Sequence, residues 1–397
     1  MKLNDEINDL LERGVEDVFI REDLEKKLLK GSPLRIKLGF DPTGSKIHLG
    51  RAAILWKLRK FQDLGHTIVF IIGDFTAIIG DPSDKLQKRP MLTKEVVEEN
   101  LKNYKEQVGK IIDLKKSEFH YNSKWLSELK FAEICALAES FSVQQMLNRR
   151  NFKERYENGV EISLREFMYP LMQGYDSVAI KADVEIGGFD QLFNLKAGRV
   201  IQKHYGLPEQ EVLTIQMLEG ADGRKMSTSW GNVINIIDEP FDMFGKVMSL
   251  RDELIPKYFL LATNVSVDRV KEVEKILAEG KVNPRDLKIE LAKEIVSLYY
   301  GKEEALKAEE NFVETFKKGG IPEDLKEAEA GIGELLSAIL ISNKLVSSKT
   351  EWRRLVGEGA VGDAENGEKI TDADYKISKN QVFKIGKRRF IKVKVKS

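Results

Sequence analysis

The chain has 397 residues, too many for one small core, and this length points to two or three domains. Its 64 Lys+Arg equal its 64 Asp+Glu, which excludes a uniform polycation that coats nucleic acid and a polyanionic disordered tail, although opposite local excesses can cancel in such a sum. Hydrophobic residues at 42% can build real cores, and the single cysteine excludes a disulfide framework and a Cys-rich zinc site.

In chain order, the first residues Met1-Lys2-Leu3-Asn4-Asp5-Glu6 lack the apolar centre of a signal peptide. Leu34, Ile36, Leu38 and Phe40 alternate with other residues, which predicts a strand ending in the turn Asp41-Pro42-Thr43-Gly44-Ser45. Ala52, Leu55, Trp56, Arg59 and Gln62 then follow a helical pattern that stops at Gly65. The β-branched apolar run 67–72 predicts a strand covered on both faces and leaving into a loop. The whole apolar stretch 67–80 is broken by Gly73 and Asp74 and is too short to span a bilayer, so a cytosolic protein with no membrane partner is expected.

Strand, helix and strand in this order make a βαβ unit, hence a parallel sheet with its ligands at the strand carboxyl ends. Cys135 lies in the apolar helical run 131–137, which predicts a buried thiol. Val184-Glu185-Ile186 and Val212-Leu213-Thr214-Ile215 supply further strands around a helix from Asn194 to Tyr205. Residues 30 to about 220 therefore read as one α/β, doubly wound domain. From Asp238 to about Lys318 the pattern is helical, clearest over 287–300. Residues 323–333 are charged and glycine-bounded like a linker. Two short helices near 332–341 and 349–357 follow, and then strand-like alternation.

Three local patterns carry chemistry. His48-Leu49-Gly50-Arg51 opens the helix after the first strand, where a helix N-terminus favours phosphate and glycine admits a flat ligand, although a plain helix cap fits equally well. Lys225-Met226-Ser227-Thr228-Ser229 follows the Gly-rich segment 220–223 and offers a cation and hydroxyls to a triphosphate; considered singly it is also an ordinary solvated turn. Tyr169, Gln173 and Asp176 are spaced i, i+4, i+7 and share one helix face. Neither G-x-x-x-x-G-K-[ST] nor G-x-G-x-x-G is present. His66, His120 and His204 share no spacing and read as structural.

Taken together, the His48 and Lys225 segments resemble the His-Ile-Gly-His and Lys-Met-Ser-Lys-Ser signatures of class I aminoacyl-tRNA synthetases. Gly39-Phe40-Asp41-Pro42-Thr43, Gly80-Asp81-Pro82-Ser83, Tyr169-x-x-x-Gln173-x-x-Asp176 and Gly187-Gly188-x-Asp190-Gln191 extend the resemblance to the bacterial tyrosyl-tRNA synthetases. It implies a Rossmann-like catalytic domain over 1–223, the signature loop and an α-helical domain over 224–325, and a small α+β, S4-like RNA-binding domain over 331–397. It also implies a homodimer, tyrosine, ATP and tRNA(Tyr) as partners, Mg²⁺ accompanying the ATP, and no tightly bound cofactor.

By that resemblance Asp176 accepts the phenol proton of tyrosine, while Tyr169, Gln173 and Asp81 hold its ammonium. Gln191 reaches its other polar groups, and Lys37 stands at the phenol end. Gly39, Asp41, Gly50, Gly188 and Asp190 belong to the ATP site, Asp190 at the ribose, with Ser227, Thr228 and Ser229 in the loop. His48 and Thr43 contact the γ-phosphate side, Arg51 takes the second signature histidine's position, and Lys225, Lys85 and Arg89 hold the leaving pyrophosphate. Arg353, Arg354, Lys387, Arg388 and Arg389 are the implied RNA contacts.

Four residues depart from the family pattern: Arg51 for the second histidine, Thr228 for the second lysine, Lys37 where many relatives have tyrosine, and Phe189 for a small residue. Arg51 and Thr228 leave a non-catalytic RNA-binding paralogue as one alternative; a tryptophanyl-tRNA synthetase is the other, against which the Tyr/Gln/Asp helix and the tail argue. Residues 331–397 hold 14 Lys+Arg against 8 Asp+Glu, leaving 50 against 56 in the preceding 330. The neutral sum thus joins an acidic body to a basic module. Nine of the positive charges lie in 376–397, where Phe383 and Phe390 interleave; RNA backbone contact or a charged strand edge accounts for such a pattern.

Overall fold

The computed structural model describes residues 2–42, 46–82, 93–101, 104–226, 230–317, 325–364, 367–386 and 389–395. The chain forms two compact units, one made of Met1–Asp238 with Ser249–Ile295, the other of Glu239–Met248 with Val296–Ser397.

The first unit is built on a six-stranded sheet. Its spatial order is β1 (Val15–Phe19), β6 (Glu211–Ile215), β5 (Val184–Gly188), β2 (Arg35–Phe40), β3 (Thr67–Ile72) and β4 (Ser117–Tyr121). All neighbours are parallel except β1, which runs antiparallel to β6. The expected βαβ unit is β2, the helix Leu49–Asp63 and β3. Gly65, with φ +90°, ends that helix, in a left-handed conformation that suits glycine. Because β2 lies between β3 and β5, the direction of winding reverses there, and a crevice opens at the carboxyl ends of β2 and β5. Ile36, Val69, Phe70, Val184, Ile186 and Leu213 are buried, as a sheet covered on both faces requires.

Several local expectations are corrected. Beyond β3 the chain forms the helix Asp74–Ile79 instead of a loop. Gly73 makes this possible, since a Cβ there would lie 2.1 Å from Asp41 Oδ1 and 2.3 Å from Thr76 Oγ1. Cys135 is exposed, not buried; the helix Phe131–Ala138 is short and buries Leu137, while Phe131, one turn before the cysteine, is exposed too. The edge strands β1 and β4, Val-Glu-Asp-Val-Phe and Ser-Glu-Phe-His-Tyr, lie mostly half-buried and have no apolar run to announce them. The helices Leu164–Ile180 and Leu192–His204 pack together at Gly174, where a Cβ would meet Ile201 Cγ1 at 2.8 Å and the Ala197 carbonyl at 3.2 Å.

The helical region expected after residue 238 contains Pro240–Met248, Ile255–Ala262, Val267–Glu279, Pro284–Tyr300 and Lys302–Lys317. Within the second unit Phe244 packs on Phe312 with ring centroids 5.3 Å apart. A four-stranded sheet follows, in the order β7 (Glu327–Ala330), β10 (Arg389–Val395), β9 (Gln381–Ile385) and β8 (Val361–Asp363). The helices Leu336–Ser342 and Lys349–Gly357 join it around a core that includes Trp352, Phe383, Ile391 and Val393.

Here too the expectations need correction. β7 falls in the segment read as a linker; its Glu327 pairs with Lys392 at 3.5 Å and Lys394 at 2.5 Å on β10. β10 has a strand on each side, so its lysines do not serve as a charged sheet edge. Among the described residues no helix is long and apolar enough to cross a membrane.

Candidate active site

The helix Leu164–Ile180 carries the Tyr/Gln/Asp face. Its start is secured by a capping box, with the Arg165 amide donating to Ser163 Oγ at 3.3 Å and the Ser163 amide to Glu166 Oε2 at 3.0 Å. Glu166 is in turn held by the buried Arg155 at 2.7 Å. These contacts fix the first turn of the helix, on which the rotation of its later turns depends.

Asp176 is buried and accepts hydrogen bonds from Trp125 Nε1 at 2.7 Å and Asn122 Nδ2 at 3.3 Å. Burial pushes its carboxyl up to about 7; the Lys37 charge and the Trp125 and Asn122 hydrogen bonds oppose the rise, and the Glu185 charge adds to it. Tyr169 donates its hydroxyl to Asp41 Oδ2 at 2.8 Å, and Thr76 donates to Asp41 Oδ1 at 2.7 Å. Asn122 also donates to Thr76 Oγ1 at 3.0 Å, so Asp176 and Asp41 belong to one polar network.

A second network reaches Asp81. Gln191 Nε2 donates to Asp81 Oδ2 at 2.8 Å, Asn194 to Gln191 Oε1 at 3.1 Å, and Arg149 to Asn194 Oδ1 at 3.2 Å. The Arg149 guanidinium lies over the rings of Phe152 and Phe193, at 5.1 and 4.3 Å from their centroids. Burial lowers its pKa to about 10, opposed by the charge of Asp81.

At the start of the helix Leu49–Asp63, His48 is the N-cap, its Nδ1 accepting from the Arg51 amide at 3.3 Å. Burial lowers the imidazole pKa to about 3, helped by the charges of Arg51 and Lys225. The ring is therefore neutral, and with Nδ1 accepting, its proton sits on Nε2. A Cβ at Gly50 would lie 3.2 Å from His48 Nδ1. Arg51 hydrogen-bonds Tyr104, whose ring stacks on Phe40 at 4.1 Å. Lys225 pairs with Asp190 at 3.1 Å, and Asn232 donates to the Lys225 carbonyl at 3.1 Å. Gly188 ends β5 with Asp190 Oδ1 2.7 Å from where its Cβ would stand.

The predicted residues thus fall into groups: Asp41, Tyr169 and Asp176 in one, Asp81 and Gln191 in a second, Lys37 and Gln173 joined at Glu185, and His48, Gly50, Arg51, Gly188, Asp190 and Lys225 around the helix start and β5 end. Gly39, the penultimate residue of β2, is exposed. Lys37 is fully buried and ion-paired with Glu185 at 2.9 Å. Thr43, Lys85, Arg89, Ser227, Thr228, Ser229, Lys387 and Arg388 lie outside the described residues. In the second unit Arg353 is exposed, Arg354 pairs with Glu358 at 2.8 Å and Arg389 with Glu351 at 3.2 Å.

Asn122, Trp125, Arg149, Glu185 and Asn194 take part without having been picked out from the sequence. Only Glu185 carries a signal there, as a carboxylate between valine and isoleucine in a strand expected to be apolar. His66 takes the structural part expected of it, accepting the Leu34 amide on Nδ1 at 3.2 Å.

A family model described as tRNA synthetases class I (W and Y) matches residues 29–317. A Thermotoga maritima protein named tyrosine–tRNA ligase is 46% identical over 387 residues, covering 97% of this chain and 96% of that protein. One of the same name from Legionella pneumophila is 45% identical over 400 residues, covering 100% and 99%. Among solved structures, a C-terminally truncated mitochondrial tyrosyl-tRNA synthetase of Coccidioides posadasii superposes with a TM-score of 0.61 at 24% identity, covering 77% of this chain and 91% of that one. The Archaeoglobus fulgidus tyrosyl-tRNA synthetase complexed with L-tyrosine gives 0.60 at 22%, covering 78% and 100%. At these identities the two structural likenesses speak to the fold.

The raised pKa of Asp176 has a consequence for stability. Folded Asp176 keeps its proton up to about 7, whereas its ordinary value is 3.8, so the folded state binds the extra proton between those values. Its contribution to stability is complete below the ordinary value and is lost as pH rises through 7. Asp176→Asn should therefore gain on the native protein by a few kcal/mol in thermal unfolding between about pH 5 and about pH 8. A difference between the two proteins that does not change with pH would contradict this assignment.

Proposed function

The chain belongs to the class I tRNA synthetases (W and Y), among the tyrosine–tRNA ligases, and on that premise we propose how its residues divide the work. The observation that carries the reading is the buried carboxylate of Asp176, ionisable near neutral pH and already turned toward two donors. A phenol O–H supplies the third donor; phenylalanine supplies none and leaves a buried carboxylate under-satisfied, the tyrosyl enzymes being the standard example of this rule. Tyr169, Gln173 and Asp81 receive the ammonium, and Gln191, held between Asp81 and Asn194, adjoins the reacting carboxylate.

The tyrosine carboxylate attacks the α-phosphorus of ATP, forming the tyrosyl-adenylate and releasing pyrophosphate. That nucleophile is ionised at neutral pH, so the step needs no general base, and catalysis consists of alignment and charge stabilisation. Neutral His48 donates from Nε2 to phosphate oxygens at a helix N-terminus, a geometry that also favours anions. Asp190 turns to the ribose hydroxyls, and Lys225 leaves it for the phosphates, where Thr43, Lys85, Arg89 and the hydroxyls of Ser227, Thr228 and Ser229 join it. Arg51 adds a permanent cation.

Among the described residues no group of three or more His, Cys, Asp or Glu converges as a metal cage. Mg²⁺ enters as part of the ATP substrate, held by phosphate oxygens and water. The terminal ribose of tRNA(Tyr) then attacks the adenylate. The module from 331 to 397, S4-like by resemblance to the family, holds the RNA backbone through Arg353 and the neighbouring basic residues, and a cytoplasmic location follows for an enzyme of protein synthesis.

A homodimer is supported by the large apolar side chains left exposed between residues 131 and 164. Phe131 is 81% exposed, Leu164 79% and Val143 58%. Such exposure is costly for a monomer and is relieved by a second copy.

Two outcomes are expected. ATP–pyrophosphate exchange should depend on tyrosine and not on tryptophan, and Lys225→Ala should lower kcat by about 10²–10³; folded protein that exchanges with tryptophan, or with neither, contradicts the reading. Phe131→Glu together with Leu164→Glu should shift the mass measured by light scattering from dimer to monomer, and an unchanged mass would remove this surface from the interface.

A further inference from the structure

Lys37 and Glu185 are register partners on the adjacent parallel strands β2 and β5, so their side chains leave the same face of the sheet. Both are fully buried, and Lys37 Nζ stands 2.9 Å from Glu185 Oε1. The same ammonium donates to the Gln173 carbonyl at 2.7 Å and to Ser177 Oγ at 2.7 Å. An ammonium has three N–H donors, and these three acceptors use them all.

Glu185 is equally occupied. Its Oε1 also accepts from Gln173 Nε2 at 3.1 Å, and its Oε2 accepts from Ser177 Oγ at 3.2 Å and Gln210 Nε2 at 2.5 Å. Through the pair, the sheet grips both the backbone and the side chain of Gln173 and the hydroxyl of Ser177. Asp176 lies between those two residues on the Leu164–Ile180 helix.

We propose that Lys37 and Glu185 are positioning residues for tyrosine recognition, a buried clamp that sets the 173–177 turn, and that Lys37 is not itself a ligand of the phenol. The inference rests on the tyrosine reading above. A lysine with no donor left cannot recognise a hydroxyl without releasing a partner, and each release would strand a buried polar group. The clamp instead acts through Gln173 and through Asp176. The charged and titratable groups facing Asp176 are Lys37 on β2, Glu185 on β5 and Tyr169 on its own helix, with Asn122 and Trp125 as neutral donors. Lys37 favours the ionised carboxylate that accepts the phenol proton; Glu185 opposes it.

The test compares native protein, Lys37→Met, Glu185→Gln and the neutral double variant, by tyrosine-dependent pyrophosphate exchange and calorimetric tyrosine binding across pH. Native exchange with tyrosine is the control: its absence defeats the functional reading and not the clamp. Each single variant should raise the tyrosine KM roughly tenfold or more, with kcat falling less than about threefold and any loss of the tyrosine-to-phenylalanine preference shared by both variants. The double variant should be no worse than the poorer single, since the two changes break one unit. The pH below which tyrosine binding weakens should move up in Lys37→Met and down in Glu185→Gln, a pair of opposite shifts that loosened packing alone does not produce.

If either single variant fails to fold, the double variant decides, since a neutral pair removes the uncompensated buried charge. A raised KM in that double variant supports the clamp, and a native KM overturns it. A fall of about 100-fold in the preference in Lys37→Met, with Glu185→Gln behaving as native, would make Lys37 a phenol ligand and overturn the inference.

Discussion

Two opposite charges face each other across the parallel ladder between β2 and β5, in a part of the sheet buried on both faces. Either charge alone would carry a desolvation penalty of several kcal/mol. Together, with Ser177, Gln173 and Gln210 saturating the remaining positions, they form a closed polar unit within an apolar layer. The same strands open the ligand crevice at their carboxyl ends, so what braces the sheet also braces the helix over it. The third ionisable group nearby, Asp176, feels the Lys37 charge, yet burial outweighs it and raises its pKa. A pocket of this kind is completed by a substrate that donates one hydrogen bond at that point.

Much of this was legible in the sequence, for identifiable reasons. The strand 35–40, the helix 49–63 and the strand 67–72 carry the periodicities of a covered parallel sheet, and the i, i+4, i+7 spacing of Tyr169, Gln173 and Asp176 survives as one helix face. The edge strands β1 and β4 escaped because one-sided contact demands no apolar run. β7 looked like a linker because its outward glutamates are the partners of lysines some 65 positions later, a pairing that only register discloses. Cys135 was misjudged because an apolar run says how much surface prefers burial but not which side of a short helix receives it.

The site was legible as chemistry more than as connection. Motif residues identified the groups on the two strand ends, but the sequence placed Lys37 by analogy with a pocket ligand, whereas its donors are committed to Glu185, Gln173 and Ser177. Asn122, Arg149 and Asn194 had no local pattern to mark them, since each matters through hydrogen bonds to residues distant in sequence. In the basic module, likewise, composition counts charges without saying which are neutralised: Arg354, Arg389, Lys392 and Lys394 have carboxylate partners, while Arg353 and Lys376 are exposed. Of the nine tail charges, Arg389, Lys392 and Lys394 are thus offset by carboxylates.

Selection of the substrate turns on the protonation of one carboxyl group, that of Asp176. Carbon-13 NMR of the aspartate side-chain carboxyls, assigned through Asp176→Asn and recorded against pH with and without tyrosine, reads it directly. The ligand-free protein should show Asp176 titrating near 7, and tyrosine should move that midpoint down by a unit or more because the phenol hydrogen bond favours the ionised form. A midpoint near the ordinary carboxylate value in the free protein, or one that tyrosine leaves in place, would contradict the claim that this buried carboxylate is what selects the substrate.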